Sequence, residues 1–138
     1  MSRRKGRVLA FQGLYSWDIG GNSLDDVLEL AWAESDTGEP VDAESGTFAR
    51  MLIAGVTEHQ ADIDARIAGH LSGWEFDRVN KVSLAILRMS VYALLYQRDV
   101  PASIVIDEAV SIAKDYGQDD SYKFINAVLD NIRKTVEN

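Results

Sequence analysis

The 138-residue sequence has no cysteine, only two prolines, and no basic residue between positions 18 and 46. The first absence excludes disulfides and thiolate metal sites and leaves nothing that speaks for an oxidising compartment, so a cytoplasmic protein is expected. Scarce proline, little β-branched alternation and apolar residues at three- and four-residue spacing point to helices throughout. No stretch approaches the roughly 20 apolar residues of a membrane span, and Gln12, Gly13 and Ser16 interrupt the run behind the basic start, so a soluble, unexported chain is expected. GxSxG, GxGxxG and P-loop patterns are also missing. His59 and His70 do not share a helical face with two carboxylates, and no carboxylate pair is singled out for acid–base work. Neither a metal, a cofactor nor catalysis is expected.

What is present is a core. With 46% hydrophobic residues, a chain of this size can hide about two-thirds of its unfolded surface, and residues 1–138 are expected to form one all-α domain, a bundle of about six or seven helices. The first helix is expected from about Arg3 to Ile19, ending at Gly20-Gly21; a second starts at Asn22 or Ser23, with acids in its first turn. From Asp42 a long helical stretch carries Phe48, Leu52, Val56, Ile63 and Ile67 at core spacing, with a bend expected near Gly55. The segment "SGWEFDRVN" is read as a connector. The segment "KVSLAILRMSVYALLYQRD" is apolar nearly all round and should lie at the centre of the bundle. Pro101 separates it from a helix with Ile106, Ala109, Val110 and Ala113 on one face, closed by Gly117 as a C′ residue. A last helix begins near Asp120-Ser121 and buries Ile125, Val128, Leu129 and Ile132.

Charge is divided along the chain. The formal net charge is −8, yet residues 1–17 carry four bases, Arg3, Arg4, Lys5 and Arg7, and no acid, whereas residues 18–46 carry nine acids. Such a local cluster either frays in solvent or supplies the positive potential that phosphates seek. At about 100° per residue, Arg4, Lys5, Val8, Gln12 and Tyr15 share one sector of the first helix, and Ala10, Leu14 and Trp17 another. Bases for phosphates, an amide for base edges and a ring for stacking suit single-stranded RNA; the alternative is that Val8 and Tyr15 widen the core face. Arg88 lies in the apolar central helix and needs a carboxylate partner, with Asp107 or Glu108 as the candidates.

The segments "RRKGRVLAFQGLYSW", "FARMLIAGV" and "LAILRMSVYALLYQRDVPASIVIDEAVSIAKDYGQDDSYKFINAVLD" together resemble the NusB transcription antitermination family over essentially the whole chain. The resemblance implies an all-helical fold and a non-enzymatic role. It implies binding of boxA-type single-stranded RNA together with the ribosomal protein NusE, within a transcription elongation complex that transcribes ribosomal RNA operons processively. It carries the RNA role to Arg3, Arg4, Lys5, Arg7, Gln12 and Tyr15, and to the turn and helix around Asp120, Lys123 and Phe124. Departures from the family pattern are Gly6, which is expected to loosen the first turn until RNA binds; Ala93, in place of a glutamate that could pair with Arg88; and Ala127, in place of a glycine. A homodimer that hides the RNA face is compatible with the sequence. A helical adaptor that binds protein and no RNA, through the acidic segment 18–46, is the competing expectation.

Overall fold

In the computed structural model, which describes residues 2–136, the basic start and the apolar positions behind it form one helix, α1 (Ser2–Gly20). Gly21, at φ 68°, turns the chain into α2 (Leu24–Glu29), whose first turn is capped by the Ser23 hydroxyl accepting the Asp26 N–H at 3.1 Å. The predicted second helix is broken at Leu30, which adopts φ 60° while fully buried, and continues as the short α3 (Ala31–Thr37). Burial of the leucine side chain offsets a backbone conformation that β-carbon residues rarely take.

Asp42 caps α4 (Ala43–Glu58) by accepting the Ser45 N–H at 3.0 Å. The long stretch, expected to bend near Gly55, is instead interrupted at His59, and the chain resumes as α5 (Gln60–Ala68). The "SGWEFDRVN" connector contains a single 3-10 turn at Phe76–Arg78. Asn80 accepts the Val82 and Ser83 N–H groups and opens α6 (Lys81–Tyr96). Pro101 precedes α7 (Ala102–Tyr116), where its missing N–H costs no helical hydrogen bond, and α8 (Ser121–Val136) closes the fold. Among the described residues there are thus eight α-helices and no strand; six have nine residues or more, which is the bundle expected from the sequence.

Gly117 has an extended backbone, φ −90° and ψ 176°, and is not the left-handed C′ residue expected; its α-carbon needs to be bare because a β-carbon would lie 2.8 Å from the Ala113 carbonyl oxygen. Asp120 takes the left-handed conformation in that turn, at φ 68°.

Every residue of α6 from Ser83 to Val91 is buried, so this helix is the centre of the molecule. α1 packs on α4 through a seam of small residues: β-carbons at Gly6 and Gly13 would stand 2.7 Å from Phe48 Cδ2 and 2.9 Å from Ile53 Cδ1. Gly6 is therefore buried within α1, and its role is to let Phe48 approach the helix backbone; the first turn is helical, contrary to the expected loosening.

Arg88 does find carboxylates, but not Asp107 or Glu108. Its Nε and Nη2 donate to the two oxygens of Asp64 at 2.8 and 2.9 Å, and Nη1 lies 3.3 Å from Asp18 Oδ2. The predicted partners lie on α7, where Glu108 meets Arg4 and Arg7. Ala93 does not deprive Arg88 of a partner: five positions on, it faces away, into the crevice lined by Arg7 and Glu108. Ala127 is exposed, so no tight helix contact depends on it.

Candidate RNA-binding surface

The four bases of α1 face two neighbours, and Arg7 touches both, its guanidinium lying 5.5 Å from the Phe48 ring centroid of α4 as well as against α7. Arg3 and Lys5 turn toward α4: the Arg3 guanidinium lies 4.8 Å from the Phe48 ring centroid, and Lys5 Nζ lies 3.4 Å from Asp42 Oδ1. Arg4 and Arg7 turn toward α7: Arg4 Nη2 donates to Asp115 Oδ2 at 2.8 Å, and Arg7 Nη1 donates to Glu108 Oε1 at 3.2 Å. Arg4 Nη1 also lies 3.9 Å from Glu108 Oε2. Lys5 thus leaves the stripe that helical spacing assigned it with Arg4.

The four cations face three carboxylates, so the local excess is one positive charge, much less than the sequence suggests. Burial pulls the Arg7 guanidinium below its ordinary value and Arg3 and Arg4 add to this, while Glu108 opposes it. The Asp42 carboxyl is held below its usual range by the Ser45 backbone N–H, then by the Ser45 side chain and Lys5.

Farther along α1, Val8, Gln12 and Tyr15 are half-buried, whereas Ala10 and Leu14 are fully buried. Val8 and Tyr15 pack against the core while keeping part of their surface outside, so the two readings of this stripe describe different parts of the same side chains. Phe11, on the Arg4 side of the helix, meets Tyr116 at 5.3 Å between ring centroids and fixes α1 against the end of α7.

That end leads into the second cluster. Asp120 and Lys123 form an exposed pair at 3.5 Å, and the Phe124 ring lies 6.0 Å from Trp74. Trp74, 58% exposed in the connector before α6, forms with Phe124, Asn80, Ser83 and Asp120 the wall of an open groove of about 540 Å³. Lys114 and Lys123 lie over the Tyr122 ring, 4.8 and 5.9 Å from its centroid. The last turn of α7 therefore joins the clusters, since Asp115 reaches Arg4 and Lys114 reaches Tyr122.

Trp74, Lys114 and Tyr122 were not found from the sequence. A tryptophan within a polar connector was the available signal for the first; the other two look like ordinary helix-end residues until the α7–α8 turn brings them together. Guanidinium and ammonium donors beside exposed ring faces can hold phosphates and stack bases. Among the described residues no cluster of His, Cys, Asp or Glu could hold a metal ion, and no helix is long and apolar enough to cross a membrane.

Residues 4–134 match the NusB family. The chain is 50% identical over 133 residues to the transcription antitermination protein NusB of Treponema denticola, covering 96% of both chains. It is 36% identical over 137 residues to its Bacillus subtilis counterpart, covering 99% of this chain and 98% of that one. Among solved structures it is similar to T. maritima NusB (TM-score 0.82, 34% identity, 96% and 90% coverage). It is also similar to a chain in a complex of antitermination factors NusB and NusE with dsRNA (TM-score 0.85, 27% identity, 97% coverage of each chain). With this agreement over nearly its full length, the chain belongs to the NusB family of transcription antitermination proteins, whose role is not enzymatic.

Proposed function

We propose that this chain binds boxA-type single-stranded RNA together with the ribosomal protein NusE, as part of a transcription elongation complex on ribosomal RNA operons, and works in the cytoplasm. The observation that carries the proposal is the junction at the end of α7, where the arginines of α1 meet a lysine- and ring-bearing turn. In this reading Arg3, Arg4, Lys5 and Arg7 hold phosphates, Gln12 reaches a base edge, and Tyr15 and Phe124 offer stacking faces. Asp120 and Lys123 shape the neighbouring turn. The similarity to a NusB chain solved with NusE and dsRNA supports the choice of partners.

Arg4→Ala combined with Arg7→Ala is expected to weaken binding of a boxA-like oligonucleotide and to reduce the log–log salt slope by roughly 0.7 for each phosphate no longer held. Circular dichroism should show unchanged helicity. Wild-type affinity and slope in the double variant would make the basic end a solvated terminus and favour the protein-only adaptor.

An excess of one positive charge is too little for tight binding of a flexible strand by phosphates alone, whereas the acid-rich remainder suits a basic ribosomal protein. Each ligand is therefore expected to tighten the other by the same factor, a coupling of about 1–3 kcal/mol. Titrating labelled RNA at several fixed concentrations of the ribosomal protein measures it, and superimposable curves would exclude cooperation. Sedimentation of the free protein, with and without RNA, separates a monomer from a homodimer that buries this face.

A further inference from the structure

Asp115 is badly placed for its own helix. It lies in the last turn of α7, where the partial negative charge of the helix end disfavours a carboxylate and favours a cation such as its neighbour Lys114. What holds it is Arg4, at 2.8 Å, across 111 residues of sequence. The two side chains differ in exposure, 29% for Arg4 and 60% for Asp115, so the carboxylate can swing into water while the guanidinium stays.

Glu108 is arranged differently. It is the less exposed carboxylate, at 27%, and it meets both Arg7, at 3.2 Å, and the other terminal nitrogen of Arg4, at 3.9 Å. It keeps Arg4 in position whether or not Asp115 is engaged. Lys114, beside Asp115 in sequence, and Lys123 stand over Tyr122 and supply attraction for an incoming anion.

We propose that Asp115 is an internal counter-ion that an RNA phosphate displaces from Arg4, so that this carboxylate sets how tightly the RNA surface holds any strand that uses Arg4. The inference rests on the RNA-binding reading above. Displacement weakens every strand that uses Arg4 by the same factor. The ratio of affinities between two such strands is unchanged, so Asp115 sets the threshold of binding while base contacts set the choice of strand.

The test is a double-mutant cycle with Asp115→Asn and Arg4→Ala, titrating a boxA-like oligonucleotide and an oligouridylate of equal length at several salt concentrations. Asp115→Asn should tighten both RNAs by about 1.5- to fivefold at low salt, the range expected for losing a competing exposed ion pair. Its salt slope should stay close to that of the wild type, because Arg4 holds the same phosphate in both complexes, whereas Arg4→Ala should lower the slope by about 0.7. In the Arg4→Ala background the tightening should vanish.

If Arg4→Ala weakens binding but Asp115→Asn leaves it unchanged, the counter-ion proposal fails and the RNA surface stands. Tightening that persists undiminished without Arg4 would reduce Asp115 to a bulk-charge effect and overturn the proposal. If neither the wild type nor any variant binds either RNA, the RNA-binding reading fails and takes the inference with it. Matching thermal melts of Asp115→Asn and wild type exclude misfolding as the cause of a change.

Discussion

Arg88→Ala is expected to destabilise the fold by about 3 kcal/mol, the lower end of the range for removing one partner of a buried ion pair. Arg88 is 5% exposed and satisfies carboxylates from two helices, Asp64 by a two-pronged pair and Asp18 by a third contact. Truncation leaves two acids facing each other across a hole the size of a guanidinium. The lower end applies because Asp18 and Asp64 are 21% and 22% exposed and recover part of their hydration. Lys81, 3.7 Å from Asp18, also remains as a partial partner. Urea denaturation measures the loss, and a change below about 1 kcal/mol would mean that the cluster is no more than a surface ion pair. RNA affinity of the protein that stays folded should hardly change. Lost binding at an unchanged melting temperature would instead put Arg88 in the RNA surface.

Gly55→Ala is expected to cost about 1–3 kcal/mol by overpacking. A β-carbon at this position would overlap Cζ of Tyr92 and lie 2.6 Å from its hydroxyl oxygen, so the ring has to move. It cannot move freely: its centroid lies 5.4 Å from that of Tyr96 and 6.3 Å from that of His59, which itself stacks on Tyr96 at 4.1 Å. The intrinsic gain of alanine over glycine in a helix, about 1 kcal/mol, runs the other way and limits the net loss. Thermal melts of Gly55→Ala alone and with Tyr92→Leu distinguish these effects. The smaller side chain should relieve most of the penalty of the alanine, and a Gly55→Ala protein as stable as wild type would show that the ring ladder yields without cost.

Helix class and most helix starts were legible because they depend on neighbouring residues. Ser23, Asp42 and Asn80 each cap a helix within three positions of themselves, and an apolar pattern without a polar face marks α6 as central wherever its partners lie. The breaks at Leu30 and His59 were not legible, since neither residue is a glycine or proline and each break is maintained by what the flanking helices bury. The candidate surface was legible in the same partial way: the sequence located the basic end and, through family resemblance, Asp120, Lys123 and Phe124. Trp74, Lys114 and Tyr122 became visible only once the connector before α6 and the α7–α8 turn had positions in space.

The sequence by itself determined that this is an all-helical chain with its bases concentrated at one end, because periodicity, capping and charge order are properties of a few adjacent residues. Only the tertiary structure decided what those bases face. Arg4 and Asp115 are 111 positions apart and Arg88 and Asp64 are 24 apart, and no local pattern encodes which charged side chains helix packing will bring within 3 Å. Gly6 shows the same division: read along the chain it weakens a helix, whereas against Phe48 its missing β-carbon is the space that lets α1 and α4 close.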